Sequence, residues 1–260
     1  MKFIEKYDYF IFDLDGTIYR GEHLIPNADK VVNQLKVLDK KIVFVSNKTT
    51  GTARDYYYLL KDWGLNIEEK EIINSTIVIS NYLKKNFQGE KFFAIGEKSF
   101  ITEIEKSGLK HSTVPEEIKI VLITLDRTLN YQKLEISAKA IENGARFFAA
   151  NIDDTCPVDD GEVIDAGPTI SALEKRTHRK LELHFGKPSE FMFDEIKNRL
   201  QFNPAKTILI GDRLETDIRM GNDFGIDTAL VHTGVKFFPN GNNKIIPTYH
   251  LNSVFDLLAD

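Results

Sequence analysis

Tyr9-Phe10-Ile11-Phe12-Asp13-Leu14-Asp15-Gly16-Thr17 sets four consecutive apolar or aromatic residues against two aspartates and a glycine. Such a run reads as a buried parallel strand and its exit loop. Downstream, Ala28, Val31, Val32, Leu35 and Leu38 recur at helical spacing across 27–40. Ile42-Val43-Phe44-Val45 is the next buried strand, ending at Ser46-Asn47, and a second helix spans about 52–63 before Gly64 stops it. The chain thus opens β-α-β-α, which predicts a doubly wound parallel sheet. The same grammar returns late. A strand over 181–185 enters Gly186-Lys187-Pro188-Ser189, a helix spans 190–200, and Thr207-Ile208-Leu209-Ile210 ends at Gly211-Asp212. A helix over 217–224 and a strand over 228–232 follow.

Between these halves, 91–95, 120–125 and 145–150 read as strands and 98–107 and 131–142 as helices, a separate α/β unit. Asp159-Asp160-Gly161 marks a turn. A chain of 260 residues is long enough for two packed units. Its net charge of −5, with acids and bases interspersed, argues against a nucleic-acid binder, which needs a concentrated basic face. One cysteine, Cys156, allows no intrachain disulfide and argues against a cysteine-based zinc cluster, which fits a reducing compartment. The start has no hydrophobic signal core, and no apolar run approaches the ~20 residues of a membrane span. A cytoplasmic protein without nucleic-acid or membrane partners is expected.

In a parallel sheet the carboxyl ends of the strands share one edge, where ligands bind. That edge would gather Asp13, Asp15, Ser46 and Asp212. Carboxylates so close repel and raise one another's pKa. A magnesium ion, which takes a few carboxylates plus waters and phosphate oxygens, resolves the conflict. It would hold a phosphate in line with one carboxylate, and a carboxylate nucleophile splits hydrolysis into two displacements. The carboxyl two residues later would protonate the leaving alcohol and then activate water. Lys187 would supply a fixed positive charge and Ser46 a hydroxyl donor. Each residue also has a plainer reading. Asp13 and Asp15 suit a cap and turn pair, Ser46 a cap of the next segment, Lys187 a surface lysine, and Asp217 a helix-dipole partner.

Taken together these residues resemble the haloacid dehalogenase (HAD) superfamily. Asp13-Leu14-Asp15-Gly16-Thr17 is similar to its first motif, Ser46 to its second, and Lys187 in Gly186-Lys187-Pro188 to its third. Gly211-Asp212-Arg213-Leu214-Glu215-Thr216-Asp217 is similar to its fourth, and all occur in family order over roughly 200 residues. The resemblance implies Asp13 as nucleophile and magnesium ligand. It implies Asp15 as general acid and base, binding the metal through its backbone carbonyl, Asp212 as a side-chain ligand, and Asp217 as second-shell or water-mediated. Ser46, Asn47 and Lys187 would hold the phosphate, Asn47 through its backbone N–H more than its side chain. The implied activity is magnesium-dependent hydrolysis of small phosphorylated metabolites through an aspartyl-phosphate. A phosphomutase or other phosphotransferase on the same fold, and a non-catalytic phospholigand-binding protein, are the alternatives.

The 33 positions from Asp13 to Ser46 hold no extra domain, whereas the 141 from Ser46 to Lys187 do. The family places its mobile cap at one of those points. The expected organisation is therefore a Rossmann-like α/β core over 1–79 and 182–260, with an inserted α/β cap over 80–181. Asn151-Ile152-Asp153 and Ala166-Gly167-Pro168 resemble the NagD and p-nitrophenyl phosphatase branch, whose caps often pair into homodimers. By that resemblance the loop Asp153-Asp154-Thr155-Cys156-Pro157 hangs over the site, and Asp153, Thr155 and Cys156 select the leaving group. A small buried apolar Cys156 is the other reading. That branch often reads Ser/Thr-Asn-Asn where this chain has Ser46-Asn47-Lys48, leaving Lys48 either near the phosphate or in solvent. Arg54, His184 and His232 read as solvated or structural groups. Tyr56-Tyr57-Tyr58 faces three directions on its helix, and Phe237-Phe238-Pro239 reads as a packing loop.

Overall fold

The computed structural model describes residues 3–158, 160–235 and 245–259. Its first sheet has six parallel strands, ordered Tyr249–Leu251, Asp227–Val231, Thr207–Gly211, Tyr9–Asp13, Lys41–Ser46, Ile72–Asn74. The opening stretch makes a central strand because both its faces are apolar. Phe10 and Phe12 enter one core with Val31 and Leu35 of helix Ala28–Val37 and Leu60 of helix Ala53–Asp62. Ile11 enters the opposite core with Ile79 of helix Ser75–Asn86 and Met192 of helix Glu190–Leu200. Side chains alternate between two covered faces, so the run shows no polar alternation. Strand order departs in both directions from Tyr9–Asp13. A crevice for ligands therefore opens at its carboxyl end, beside Thr207–Gly211.

A second sheet has five short parallel strands, ordered Leu183–His184, Arg146–Ala149, Ile120–Ile123, Lys91–Ile95, Lys110–His111. Helices Tyr131–Glu142 and Ala166–Thr177 cover one face, with Ile141 and Leu173 against Val121 and Phe147. The other face, through Phe92, Leu122 and Phe148, joins the same apolar cluster as Ile11, Val43 and Leu209 of the first sheet. The two sheets are thus packed about a shared core.

The helices read over 131–142 and 190–200 and the strand over 91–95 have those bounds. Other elements differ. The strand read over 181–185 is only Leu183–His184, and it pairs with Arg146–Ala149 of the second sheet. The passage expected at 79/80 falls inside the continuous helix Ser75–Asn86. The segment 153–157, read as a loop, contributes Thr155–Val158 to a hairpin, paired antiparallel with Gly161–Ile164. The helix read over 217–224 begins as a wide turn, Leu214–Ile218, and continues as Arg219–Asp223. Phe237-Phe238-Pro239 lies outside the described residues. Among the described residues no helix is long and apolar enough to cross a membrane.

Candidate active site

Phe12 lies level with Phe44 on one side and Ile210 on the other. Asp13 therefore stands one residue past that line, and Ser46 and Asp212 two, all at the same sheet edge. Gly16 turns the chain at φ 88, where a Cβ is strained. The backbones of Gly16 and Gly234 press against the Asp212 carboxylate so closely that a Cβ at either would collide with it. Gly211 leaves room in the same way for the Asp217 carboxylate.

Carboxylate oxygens of Asp13, Asp212 and Asp217 lie within 4.8 Å of one another, and all three residues are buried. Lys187, 3% exposed, donates to Asp13 Oδ1 and, at 2.7 Å, to Asp217 Oδ1. Among the described residues one ammonium bonds into these three carboxylates, which leaves the group short of positive charge. Burial pushes Asp13 well above the usual carboxylate range although Lys187 pulls the other way. Burial, then the Asp217 charge, push Asp212 up to about 7. Burial disfavours the Lys187 ammonium, but the charges of Asp13 and Asp217 outweigh it and hold its pKa above the ordinary lysine value. Among the described residues Asp13 Oδ2 is buried without a hydrogen-bond partner. An orphaned anionic oxygen, two neighbouring carboxylates and missing positive charge suit a hard divalent cation. Asp15 adds no side-chain oxygen to this trio. Its carboxylate accepts from Tyr19 Oη at 2.8 Å and pairs with Lys48 Nζ at 3.1 Å.

The raised Asp212 value has a consequence for stability. Between its unfolded pKa of ~3.9 and its folded value, the folded state binds more protons. Its contribution to stability therefore falls as pH rises across that interval, and the penalty is complete above about 7. His111 and His184, lowered by burial, act in the opposite sense, so the comparison must cancel them. The melting temperature of Asp212→Asn minus that of the native chain, in chelator, is expected to grow from pH ~4 to ~7 and then level off. A difference that stays constant would show that Asp212 carries no such penalty.

Ser46 is buried at the end of its strand, and its Oγ accepts from Lys48 N at 3.1 Å. The Asn47 side chain is engaged on both of its polar atoms. Its Oδ1 accepts from Lys187 N at 2.7 Å and from Ser75 Oγ at 3.3 Å, and its Nδ2 donates to Asp153 Oδ2 at 2.7 Å. A Cβ at Gly186 would press on Asn47 Oδ1, so the glycine of Gly186-Lys187-Pro188 admits this amide. One side chain thereby ties the exit of Lys41–Ser46 to the lysine turn and to the second unit.

Across the cleft, Asn151 Nδ2 donates to Asp153 Oδ2 at 3.1 Å and Asp165 Oδ1 at 2.9 Å, and its Oδ1 accepts from Thr124. The Thr124 hydroxyl bonds that of Thr49 at 2.5 Å, a second bridge back to the first unit. Arg213 Nη2 donates to the Thr155 carbonyl at 3.0 Å. Thr155 and Cys156 line the cleft from the hairpin. Burial, then the Asp15 charge, push the Cys156 thiol up to about 12, so it packs as a neutral group. Arg54, His184 and His232 do not line the cleft, whereas Asp165, Arg213 and Thr216, unassigned by sequence, do. Arg213 and Thr216 stand inside the fourth motif, so their position was visible there. The lining residues bound a half-open cleft with about 40 Å³ of water-accessible space, room for about three waters at ~10–15 Å³ each.

Three buried carboxylates and a buried ammonium meet at one sheet edge, an arrangement that suits an enzyme of phosphate esters. A haloacid dehalogenase-like hydrolase model matches residues 10–110, and a HAD-hydrolase-like model matches 184–257. The chain is 33% identical over 248 residues to sugar-phosphatase AraL of Bacillus subtilis (strain 168), covering 95% of this chain and 90% of that protein. It resembles the solved structure of a 4-nitrophenylphosphatase from Thermotoga maritima with TM-score 0.88 and 28% identity, covering 99% of this chain and 98% of that one. A glycerol phosphate phosphatase from Mycobacterium tuberculosis, in complex with magnesium, gives TM-score 0.87 and 25% identity, covering 100% and 79%. The chain belongs to the haloacid dehalogenase-like hydrolases, in their NagD and p-nitrophenyl phosphatase branch, and is an enzyme of the phosphatase type.

Proposed function

We propose that the chain is a magnesium-dependent phosphatase of small phosphate monoesters that works through an aspartyl-phosphate on Asp13. The observation that carries this reading is the buried trio Asp13, Asp212 and Asp217 around Lys187, with Asp13 Oδ2 lacking a partner among the described residues. Asp13 and Asp212, with the backbone carbonyl of Asp15, would hold magnesium, and Asp217 would support it while fixing Lys187. Bound there, the ion supplies positive charge to the phosphate oxygens.

Asp13 attacks phosphorus, the bond to the leaving oxygen breaks, and that oxygen takes the proton of Asp15. Asp15, now a carboxylate, takes a proton from water, whose oxygen attacks phosphorus. The bond to Asp13 breaks, phosphate leaves, and both aspartates return to their starting forms. Lys187 and the Ser46 hydroxyl stabilise charge on the transferring oxygens. The bridges Asn47–Asp153 and Thr49–Thr124 tie the two units together beside the cleft; their parting would widen it for the ester, and their re-forming would exclude water. Sugar, 4-nitrophenyl and glycerol phosphates in the names of similar proteins support a small monoester as substrate. In a panel of such esters, phosphate release is expected with magnesium and is expected to drop by ~100-fold or more in excess chelator. Silence toward every ester in the presence of magnesium would end this reading.

A further inference from the structure

Lys48 has no place in the mechanism above, yet it is not a solvated lysine. Its Nζ stands 3.1 Å from Asp15 Oδ2 and 3.3 Å from Asp15 Oδ1, with the two side chains only 23% and 12% exposed. The same ammonium lies 5.6 Å from the Tyr19 ring centroid. Tyr19 is fully buried, packs on Trp63, and donates its hydroxyl to Asp15 Oδ2 at 2.8 Å. The loop that carries Asp15 is itself wound tightly onto Tyr19: Gly16 N donates to Tyr19 O at 2.6 Å and Tyr19 N to Leu14 O at 3.2 Å. Both oxygens of one carboxyl group are thus gripped from two directions. An exposed pair of this type contributes little, and immobilising a lysine costs rotamer entropy. Here both side chains are largely withdrawn from solvent.

We propose that Lys48, together with Tyr19, is a positioning residue for Asp15, holding its carboxyl group aimed at the leaving oxygen. A general acid must come within about 2.6–3.2 Å of that oxygen, and a small misplacement has a large effect on rate. This inference rests on the phosphatase reading and on Asp15 as the proton donor.

The test compares kcat/KM for 4-nitrophenyl phosphate, whose leaving group needs little protonation, with that for glycerol 2-phosphate, whose leaving group needs it fully. In Lys48→Asn the ratio of glycerol to nitrophenyl ester is expected to fall about tenfold or more. Tyr19→Phe should shift it in the same direction, and Lys48→Arg should restore part of it. A contact between Lys48 and the phosphate group would lower both values equally, so an unchanged ratio overturns the proposal whatever the absolute loss. If Lys48→Asn fails to fold, judged by circular dichroism, the Tyr19→Phe ratio decides by the same criterion. A native chain inert toward these two and every other ester of the panel would instead sink the phosphatase reading, which separates the two failures.

Discussion

Asp13→Asn is expected to lower phosphate release by ~10³-fold or more while leaving the protein folded. Asparagine keeps the shape of aspartate but offers no anionic oxygen to attack phosphorus. Asp212 and Asp217 are engaged by other donors: Asp212 Oδ2 accepts from Val235 N and Asp217 Oδ1 from Lys187. Stability should move the other way from activity. Burial holds the Asp13 carboxylate well above its usual range, and the charges of Asp217 and Asp212 add to that. Ionised Asp13 is therefore a burden on the metal-free fold at neutral pH. Lys187 keeps Asp217 as its partner after the substitution. In chelator, the melting temperature of Asp13→Asn should equal or exceed that of the native chain. Appreciable turnover in a folded Asp13→Asn protein would place the nucleophile elsewhere.

The edge that gathers these groups was legible because three strands are apolar on both faces. Tyr9–Asp13, Lys41–Ser46 and Thr207–Gly211 each show an unbroken apolar run ended by a polar residue, and parallel packing then puts the ends together. Sheet membership is a different matter. Leu183–His184 is two residues long and only half-buried, too short a stretch for its pattern to record which sheet it joins. Helix Ser75–Asn86 went unread because Ser75, Thr76, Ser80 and Asn81 interrupt its apolar stripe; Ser75 and Thr76 are nonetheless buried. Helix Ala166–Thr177 hid behind Gly167 and Pro168, which look like loop residues. Both sit in its first turn, where proline's missing N–H is no loss, and a Cβ at Gly167 would crowd Asp154. The amide of Asn47 bridges to residues 106 and 140 positions away. Nothing in its local sequence encodes that, although Gly186, the glycine that makes room for it, belongs to a motif that was read.

Lys187→Met is expected to destabilise the metal-free protein by about 3–5 kcal/mol, the range for removing one partner of a buried ion pair. Methionine nearly matches the lysine stem in volume and flexibility, so packing is largely kept. What is lost is the one ammonium, 3% exposed, that faces both Asp13 and Asp217. Asp13, Asp212 and Asp217 are then left to repel one another with no cation among them. Catalysis should vanish as well, since the transferring group loses its fixed positive charge. Magnesium distinguishes the two possible natures of this cluster. If the carboxylates converge on a shared cation position, the ion answers a greater charge deficit in the variant than in the native chain. Saturating magnesium should then raise the melting temperature of Lys187→Met more than that of the native protein; at ~100 times its dissociation constant a ligand adds ~2.7 kcal/mol. Should the variant be unfolded in chelator, its refolding on addition of magnesium reports the same thing. If magnesium moves neither protein, the three carboxylates do not share an ion, and the lysine alone is what keeps them together.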